Sequence, residues 1–405
     1  MDTFGRMWAD LVPVGRHPAT GGYRRYAWTR TDAVLREWFR GEARQRGLDV
    51  VPDRAGNLWA WTADPDTAAD AGRPGLAMGS HLDSVPDGGA FDGPLGVVSA
   101  FAALDLLRSR GLLPRRPLGI VCFGDEEGAR FGVACAGSRL LTGVLDPDRA
   151  RGLTDDDGTT LAEAVSAAGS DPRTLGRDDE ALRRVGTLVE LHVEQGRALA
   201  EVPGDRGAVG VASAIWPHGR WRLDLVGRAD HAGTTRLADR RDPMLAFAAA
   251  VQAARSAAER HGALATVGKV RVRPNGANAI PAEVTAWLDA RGREETDVRA
   301  VVAEVGTAAG AVPVEESWTP PTVFAPVLRD RLATVLAGRD GVPAPVLPTG
   351  AGHDAGILSG AGIPTAMLFV RNPTGVSHSP AEHAEPADCR AGVAALARVL
   401  EDLAC

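Results

Sequence analysis

Hydrophobic and polar positions along this chain follow two periods in turn. From Thr31 to Gly47 the apolar residues Val34, Leu35, Trp38 and Phe39 recur at helical spacing, and Leu48 to Val51 then reads as a strand. Leu76 to Met78 gives a second strand, Gly96 to Arg110 a helix, and Leu118 to Phe123 an unbroken apolar run suited to a strand buried on both faces. This alternation predicts an α/β unit, a largely parallel sheet covered on both faces, with ligands expected beyond the carboxyl ends of the strands. Near Gly210 the pattern changes. Trp221 to Val226, Ala265 to Val272, Glu283 to Ala290 and Val312 to Trp318 read as strands, with helices over Pro243 to His261 and Val298 to Gly310. That is the order of a βαββαβ ferredoxin-like α+β unit. It predicts a second domain over residues 212–320 inserted into a first one made of 1–211 and 321–405. Thr319-Pro320-Pro321 marks the return, Gly360 to Val370 supplies a further core strand, and a C-terminal helix closes the first domain.

Composition narrows the partners. At 405 residues the chain is long enough for two cores. The formal net charge is −7, and the basic residues are scattered arginines with Lys269 the only lysine, so no basic patch argues for nucleic acid. Met1-Asp2-Thr3-Phe4-Gly5 lacks a charged segment leading into an apolar one, and no apolar run is long enough to span a bilayer; a cytoplasmic protein without a membrane partner is expected. Cys122, Cys135, Cys389 and Cys405 show no Cys-x-x-Cys spacing and read as reduced thiols.

Most of the nine histidines sit in polar, glycine-rich segments, which turns attention to chemistry. Gly79-Ser80-His81-Leu82-Asp83 and Gly89-Ala90-Phe91-Asp92-Gly93 put an imidazole and two carboxylates just after a strand. His81 offers a neutral nitrogen, Asp92 two oxygens that can bridge two cations, and Asp83 is placed to take the other ring N–H of His81. A satisfied histidine in a polar turn is the alternative. After Phe123 come Asp125, Glu126 and Glu127, where one carboxylate can bind metal while its neighbour accepts a proton from water; a solvated acidic turn would read the same way. Leu188 to Gly196 opens an apolar strand onto His192, Glu194 and Gln195, and Gly375 to Glu382 brings His378. Three histidines, an aspartate and a glutamate make a five-ligand dinuclear site whose mixed nitrogen and oxygen set suits zinc, manganese, cobalt or nickel. In the inserted domain, Arg291 is suited to grip a substrate carboxylate by its fork, and His231 to donate to a developing oxyanion.

Taken in order, Gly-Ser-His-Leu-Asp-Ser-Val-Pro from Gly79, Phe-Asp-Gly-Pro-Leu-Gly from Phe91, Asp-Glu-Glu-Gly-Ala-Arg-Phe from Asp125, Glu-Leu-His-Val-Glu-Gln-Gly from Glu190, Asp-His-Ala-Gly-Thr-Thr from Asp230 and Ser-His-Ser-Pro-Ala-Glu from Ser377 closely resemble the amidase, hydantoinase and carbamoylase branch of the M20 metallopeptidase family. The resemblance implies a zinc-aminopeptidase-like α/β/α catalytic domain whose inserted domain serves as lid and dimerisation surface. It implies one metal on His81, Asp92 and His192, a second on Asp92, Glu127 and His378, and Glu126 as general base, with Asp83 counted among the catalytic residues. His231 would stabilise the oxyanion across a dimer interface, Gln195, Asn278 and Arg291 would bind substrate, and Gly352 matches a backbone-binding segment. His383 matches no ligand.

The activity implied is hydrolysis of a linear ureido or amide C–N bond of a small N-substituted amino acid bearing a carboxylate, with allantoate or an N-carbamoyl-L-amino acid foremost. Peptidases of the wider family commonly carry a carboxylate at the position of His192. The chain departs from the branch's usual residues at His218, Arg236, Arg371 and Asn372. If His218, Arg236 or Arg371 faced the pocket, a second substrate carboxylate would fit, as in N-formyl-L-glutamate; otherwise they are ordinary surface groups. A non-catalytic binding protein with the same fold is the reading from another class, and the intact Glu126 and ligand set speak against it.

Overall fold

The computed structural model describes residues 2–338 and 340–405. The chain forms two compact units, one of Met1–Ala214, Val323–Thr349 and His353–Cys405, the other of Ile215–Thr322 and Gly350–Gly352. The short stretch Gly350–Gly352 therefore groups with the smaller unit, although it lies well past the proline-rich return in sequence.

The larger unit begins with β1 (Asp49–Pro52), β2 (Leu58–Trp61), β3 (Gly75–His81), β4 (Leu118–Phe123), β5 (Val185–Val193) and β6 (Val209–Ile215). The smaller unit follows with β7 (His218–Val226), β8 (Asp230–His231), β9 (Leu264–Arg273), β10 (Ala279–Ile280), β11 (Glu283–Arg291) and β12 (Val314–Thr319), after which β13 (Thr322–Val323), β14 (Val346–Thr349) and β15 (Thr365–Val370) complete the set. The large sheet runs β1-β2-β4-β3-β5-β15-β6-β13, with β14 beside β6. Its four central strands, β4, β3, β5 and β15, are parallel, whereas β2 and β6 join them antiparallel. The sheet is thus parallel only where crossover helices cover it. At one margin β1 returns directly into β2, and this tight connection imposes the opposite direction.

The central strands read as continuous apolar runs because both faces are covered. Leu76 and Met78 of β3 and Val189, Leu191 and Val193 of β5 point into a core shared with the helices Pro94–Ser109 and Pro386–Ala404. Alternate residues face the other way, so His81 and His192 share the opposite face at the carboxyl ends of neighbouring parallel strands. Close packing at this point needs glycine. A Cβ on Gly79, whose φ is +147°, would lie 2.0 Å from the Val121 carbonyl oxygen.

The smaller unit is an antiparallel sheet of order β12-β7-β11-β9. With its helices Pro243–His261 and Glu295–Ala309 it forms the βαββαβ arrangement, and Leu223, Leu225, Val284, Leu288, Val298, Val301 and Val305 make a separate core.

Candidate metal centre

Four adjacent parallel strands deliver four polar segments to one end of the large sheet. β3 ends at His81, β4 leads into Glu126 and Glu127, β5 carries His192, and the loop after β15 carries His378. Asp92 reaches them from the turn ahead of the helix Pro94–Ser109. In that turn Gly93 has φ +81°, and a Cβ there would sit 2.4 Å from the His81 ring.

Asp92 divides its two oxygens between two groups. Its Oδ1 lies 3.5 Å from His81 Nε2 and 3.1 Å from His192 Nε2, while Oδ2 lies 3.4 Å from His378 Nε2. His378 Nε2 is also 3.5 Å from Glu127 Oε2. His81, Asp92 and His192 therefore form one potential ligand group and Asp92, Glu127 and His378 a second, each with its donor atoms within 4.8 Å of one another.

The hydrogen bonds around these donors favour a cation. His81 Nδ1 lies 3.2 Å from the Asp83 carbonyl oxygen and His192 Nδ1 lies 2.8 Å from that of Val193, contacts that require a proton on Nδ1, so that once each ring is neutral its lone pair is on Nε2. The Nε2 atoms of both rings and Glu127 Oε1 are buried without a hydrogen-bond partner. Burying such atoms unsatisfied is costly unless something binds them. The charge balance agrees. Burial, reinforced by Glu127, Asp354 and Asp83, pushes the Glu126 carboxyl well above its usual range, and burial beside Asp92 raises that of Glu127 to about 7. Asp92 goes the other way. Burial opposes its ionisation, but His192, His378 and His81 outweigh burial and hold its carboxyl well below the usual range.

Glu126 stands beside the first ligand group, its Oε2 3.7 Å from His81 Nε2. Asp83 makes that placement possible, since its two oxygens accept from the backbone N–H groups of Glu126 and Glu127 at 3.2 and 3.0 Å. Gln195 donates its amide to Asp92 Oδ2 at 2.9 Å and keeps a buried Oε1 without a partner, which suits it to accept an N–H.

Sequence reasoning passed over two supports. Glu382 Oε2 accepts from the backbone N–H groups of Phe91 and Asp92 at 2.8 and 3.0 Å, and its Oε1 accepts from Ser377 at 3.0 Å. It ties the loop of His378 to the turn of Asp92. Its signal was its place at the end of the Ser-His-Ser-Pro-Ala-Glu segment. Cys135 donates to Glu126 Oε1 at 3.3 Å, and nothing in the cysteine spacing pointed to that contact. All four cysteines are free thiols.

The remaining expected substrate residues belong to the smaller unit. His231 is exposed, and its Nδ1 accepts from the backbone N–H groups of Gly233 and Thr234 at 2.9 and 3.2 Å, which places the ring proton on Nε2 as a donor. The β8–β10 ladder pairs His231 with Ala279 and so sets Asn278 beside it in the same two-stranded sheet. Arg291 holds Asp289 through Nε and Nη2 at 2.6 and 2.8 Å, and its Nη1 donates to the Gly350 carbonyl at 3.0 Å. Gly352 passes so close to His218 that a Cβ would meet Nε2 at 2.7 Å.

The departures from the usual motif have local partners of their own. Arg371 forks onto Asp388 at 2.8 and 2.9 Å and donates to the Gly204 carbonyl, so it anchors the C-terminal helix. Arg236 pairs with Asp239 on the surface of the smaller unit, and His218 Nδ1 is 2.8 Å from the Trp216 carbonyl oxygen. Asn372 is fully buried and braces the His378 loop, accepting from Thr374 and Gly375 and donating to the Val376 carbonyl.

With strand ends converging on a shared aspartate, the chain is a hydrolase fold built to hold divalent cations, and it belongs to peptidase family M20/M25/M40, whose model matches residues 77–402. Among its relatives, an N-carbamoyl-L-amino acid amidohydrolase of Geobacillus stearothermophilus is 37% identical, the match covering 98% of each chain. The allantoate amidohydrolase of Escherichia coli (strain K12) is 32% identical over 97% of this chain and 96% of its own. An amidase of the hydantoinase/carbamoylase family from Burkholderia vietnamiensis superposes with a TM-score of 0.88 at 29% identity, over 100% of this chain and 99% of that one. A structure titled AtUAH in complex with (S)-hydroxyglycine gives a TM-score of 0.88 at 26% identity, over 99% and 96%.

Proposed function

We propose that the protein is a metal-dependent amidohydrolase cleaving a linear ureido or amide C–N bond of a small N-substituted amino acid, with an N-carbamoyl-L-amino acid or allantoate as substrate. The observation that carries this reading is the division of Asp92 between two ligand groups with Glu126 alongside. The amidohydrolases among the relatives supply the bond type.

Two divalent ions, zinc or else manganese, cobalt or nickel, would be held by His81, Asp92 and His192 and by Asp92, Glu127 and His378. When bound, such ions polarise a carbonyl and lower the pKa of water. Glu126, raised by burial and by its acidic neighbours, accepts a proton from the attacking water and returns it to the leaving nitrogen. Asp83 holds Glu126 and Glu127 by their backbones and keeps the base and the ligand in register. Gln195 Oε1 accepts from the substrate N–H, and His231 donates from Nε2 to the oxyanion. Asn278 and Arg291 take the α-carboxylate, with Gly352 offering backbone contact. Asp289, which now shares the Arg291 fork, must yield part of it to the substrate. The smaller unit serves as lid and dimerisation surface, so that His231 acts on the partner subunit's site. Among the described residues no helix is long and apolar enough to cross a membrane.

The experiment is to assay the purified, metal-loaded enzyme against N-carbamoyl-L-amino acids, allantoate and N-formyl-L-glutamate. Ammonia release from one of the first two is expected. Formate from the third alone would overturn the substrate assignment, and no product from any would overturn the reading altogether.

A further inference from the structure

Far from the metal centre, the larger unit has a cavity of about 560 Å³ at the opposite, amino-terminal end of β3 and β4. Its wall includes the last turns of the helix Pro94–Ser109. That helix starts two residues after Asp92, and 16 residues of helix span about 24 Å, so the two places are separate. The volume lies within the range of small-molecule pockets, about 300–1,000 Å³.

The lining combines an apolar floor with an unbalanced charge. Leu104, Leu107, Leu112 and Pro114 supply the floor. Arg73, Arg108, Arg115 and Arg116 supply four guanidinium groups. Arginines elsewhere commonly fork onto carboxylates, as Arg46 does with Asp105 and Arg184 with Asp66. None of these four does so among the described residues. Arg108 donates to the Arg46 carbonyl at 2.8 Å, and Arg116 donates to that of Leu403 at 3.0 Å while its buried Nε has no partner. The acid in the lining, Asp64, is turned to its own helix, accepting from the Asp66 N–H at 3.0 Å and from Thr67 Oγ1 at 2.6 Å.

We propose that this cavity is a second binding site, for a small organic anion with an apolar body and a phosphate or carboxylate head. The head would be taken by the guanidinium forks, which fit either oxyanion in bidentate fashion, and the body would cover the leucines. A bare anion would leave the floor wet, and a neutral molecule would leave the charge unanswered.

Calorimetric titration of the full metal-loaded enzyme tests this, with phenyl phosphate and phenylpropionate as probes and inorganic phosphate and benzyl alcohol as controls. The wild type is compared with Arg73→Ser/Arg115→Ser and, separately, with Leu112→Asp, while metal content is followed to confirm an intact centre. One of the two probes should bind at a site that weakens by at least about tenfold in both variants with metal content unchanged. Which probe binds identifies the head group. Binding that is equal in wild type and variants reports anions at the metal centre alone and overturns the proposal. So does inorganic phosphate binding the arginine-dependent site as tightly as phenyl phosphate, or no arginine-dependent binding of either probe at about 1 mM.

Discussion

The polar residues of the larger unit and those of the smaller one are held by opposite means. His81, Asp83, Asp92, Glu126, Glu127 and His192 are buried, and each is fixed by a backbone group or by another member of the set, with His378 the exposed exception among the ligand residues. His231 and Asn278 are exposed on a small two-stranded sheet and owe their placement to local backbone contacts. Cation ligands must be aligned before the cation arrives, because the cost of collecting their charges in a buried place is met only when the geometry is already correct. A donor to substrate has no such cost and gains from a mobile, accessible support. Substitutions of the ligand residues in the first set should therefore change metal content, whereas those of Glu126 and of the second set should change kinetics alone.

The largest effect is expected at Asp92. Asp92→Ala removes a ligand from both groups, so both ions should be lost together and kcat/KM should fall by about 10⁴-fold or more. Metal analysis after gel filtration checks it, and retention of one full equivalent would show that Asp92 does not bridge. Glu126→Gln keeps the shape of the side chain and one acceptor oxygen but not its basicity. A loss of about 10³-fold in kcat with metal content unchanged is expected, and a normal rate would remove Glu126 as the base.

The second set should respond differently. If its Nε2 donor acts on charge that develops during reaction, as proposed, His231→Ala should lower kcat by about 10²-fold. Both metals should remain. If the variant instead lost metal, the contrast between buried and exposed sets would collapse.

Between the two lies Glu382, which touches no proposed metal position yet fixes the backbone of Asp92. Glu382→Gln keeps one amide oxygen for the two N–H groups but removes the charge and the second oxygen, which weakens the hold on both, and metal affinity should drop by about tenfold. Competition with a chelator measures it.

Much of this was legible in the chain because the ligands follow strand ends. A parallel strand buried on both faces is a short apolar run, and the polar residues at or just past its end are the ones delivered to the site, as with Glu126 after Phe123 or His192 next to the end of β5. The limits of β4 and of the helix Pro243–His261 were set by the same contrast. What stayed hidden depends on closure of the chain over long separations. Glu382 meets Asp92 across 290 positions, whereas the Cys135–Glu126 contact is short in sequence and depends instead on a loop turning back on itself. The strand β2 also escaped notice. Leu58-Trp59-Ala60-Trp61 is buried throughout, but at four residues it carries too little period to separate strand from helix.

Arg371 shows the same limit from the other side and gives the smallest expected effect. In sequence it stands shortly before the loop of His378, where a cation invites a role in substrate binding. In the structure its fork is taken by Asp388, whose side chain is 5% exposed, and by the Gly204 carbonyl. Arg371→Ala should leave the ratio of rates on monocarboxylate and dicarboxylate substrates unchanged and should cost about 1–2 kcal/mol of stability, because a nearly buried carboxylate loses its partner. For a chain of this size that is a fall of only a few degrees in Tm, about 2–4 °C per kcal/mol or less. A change in substrate preference without a change in Tm would return Arg371 to the pocket and, with it, the case for a second substrate carboxylate.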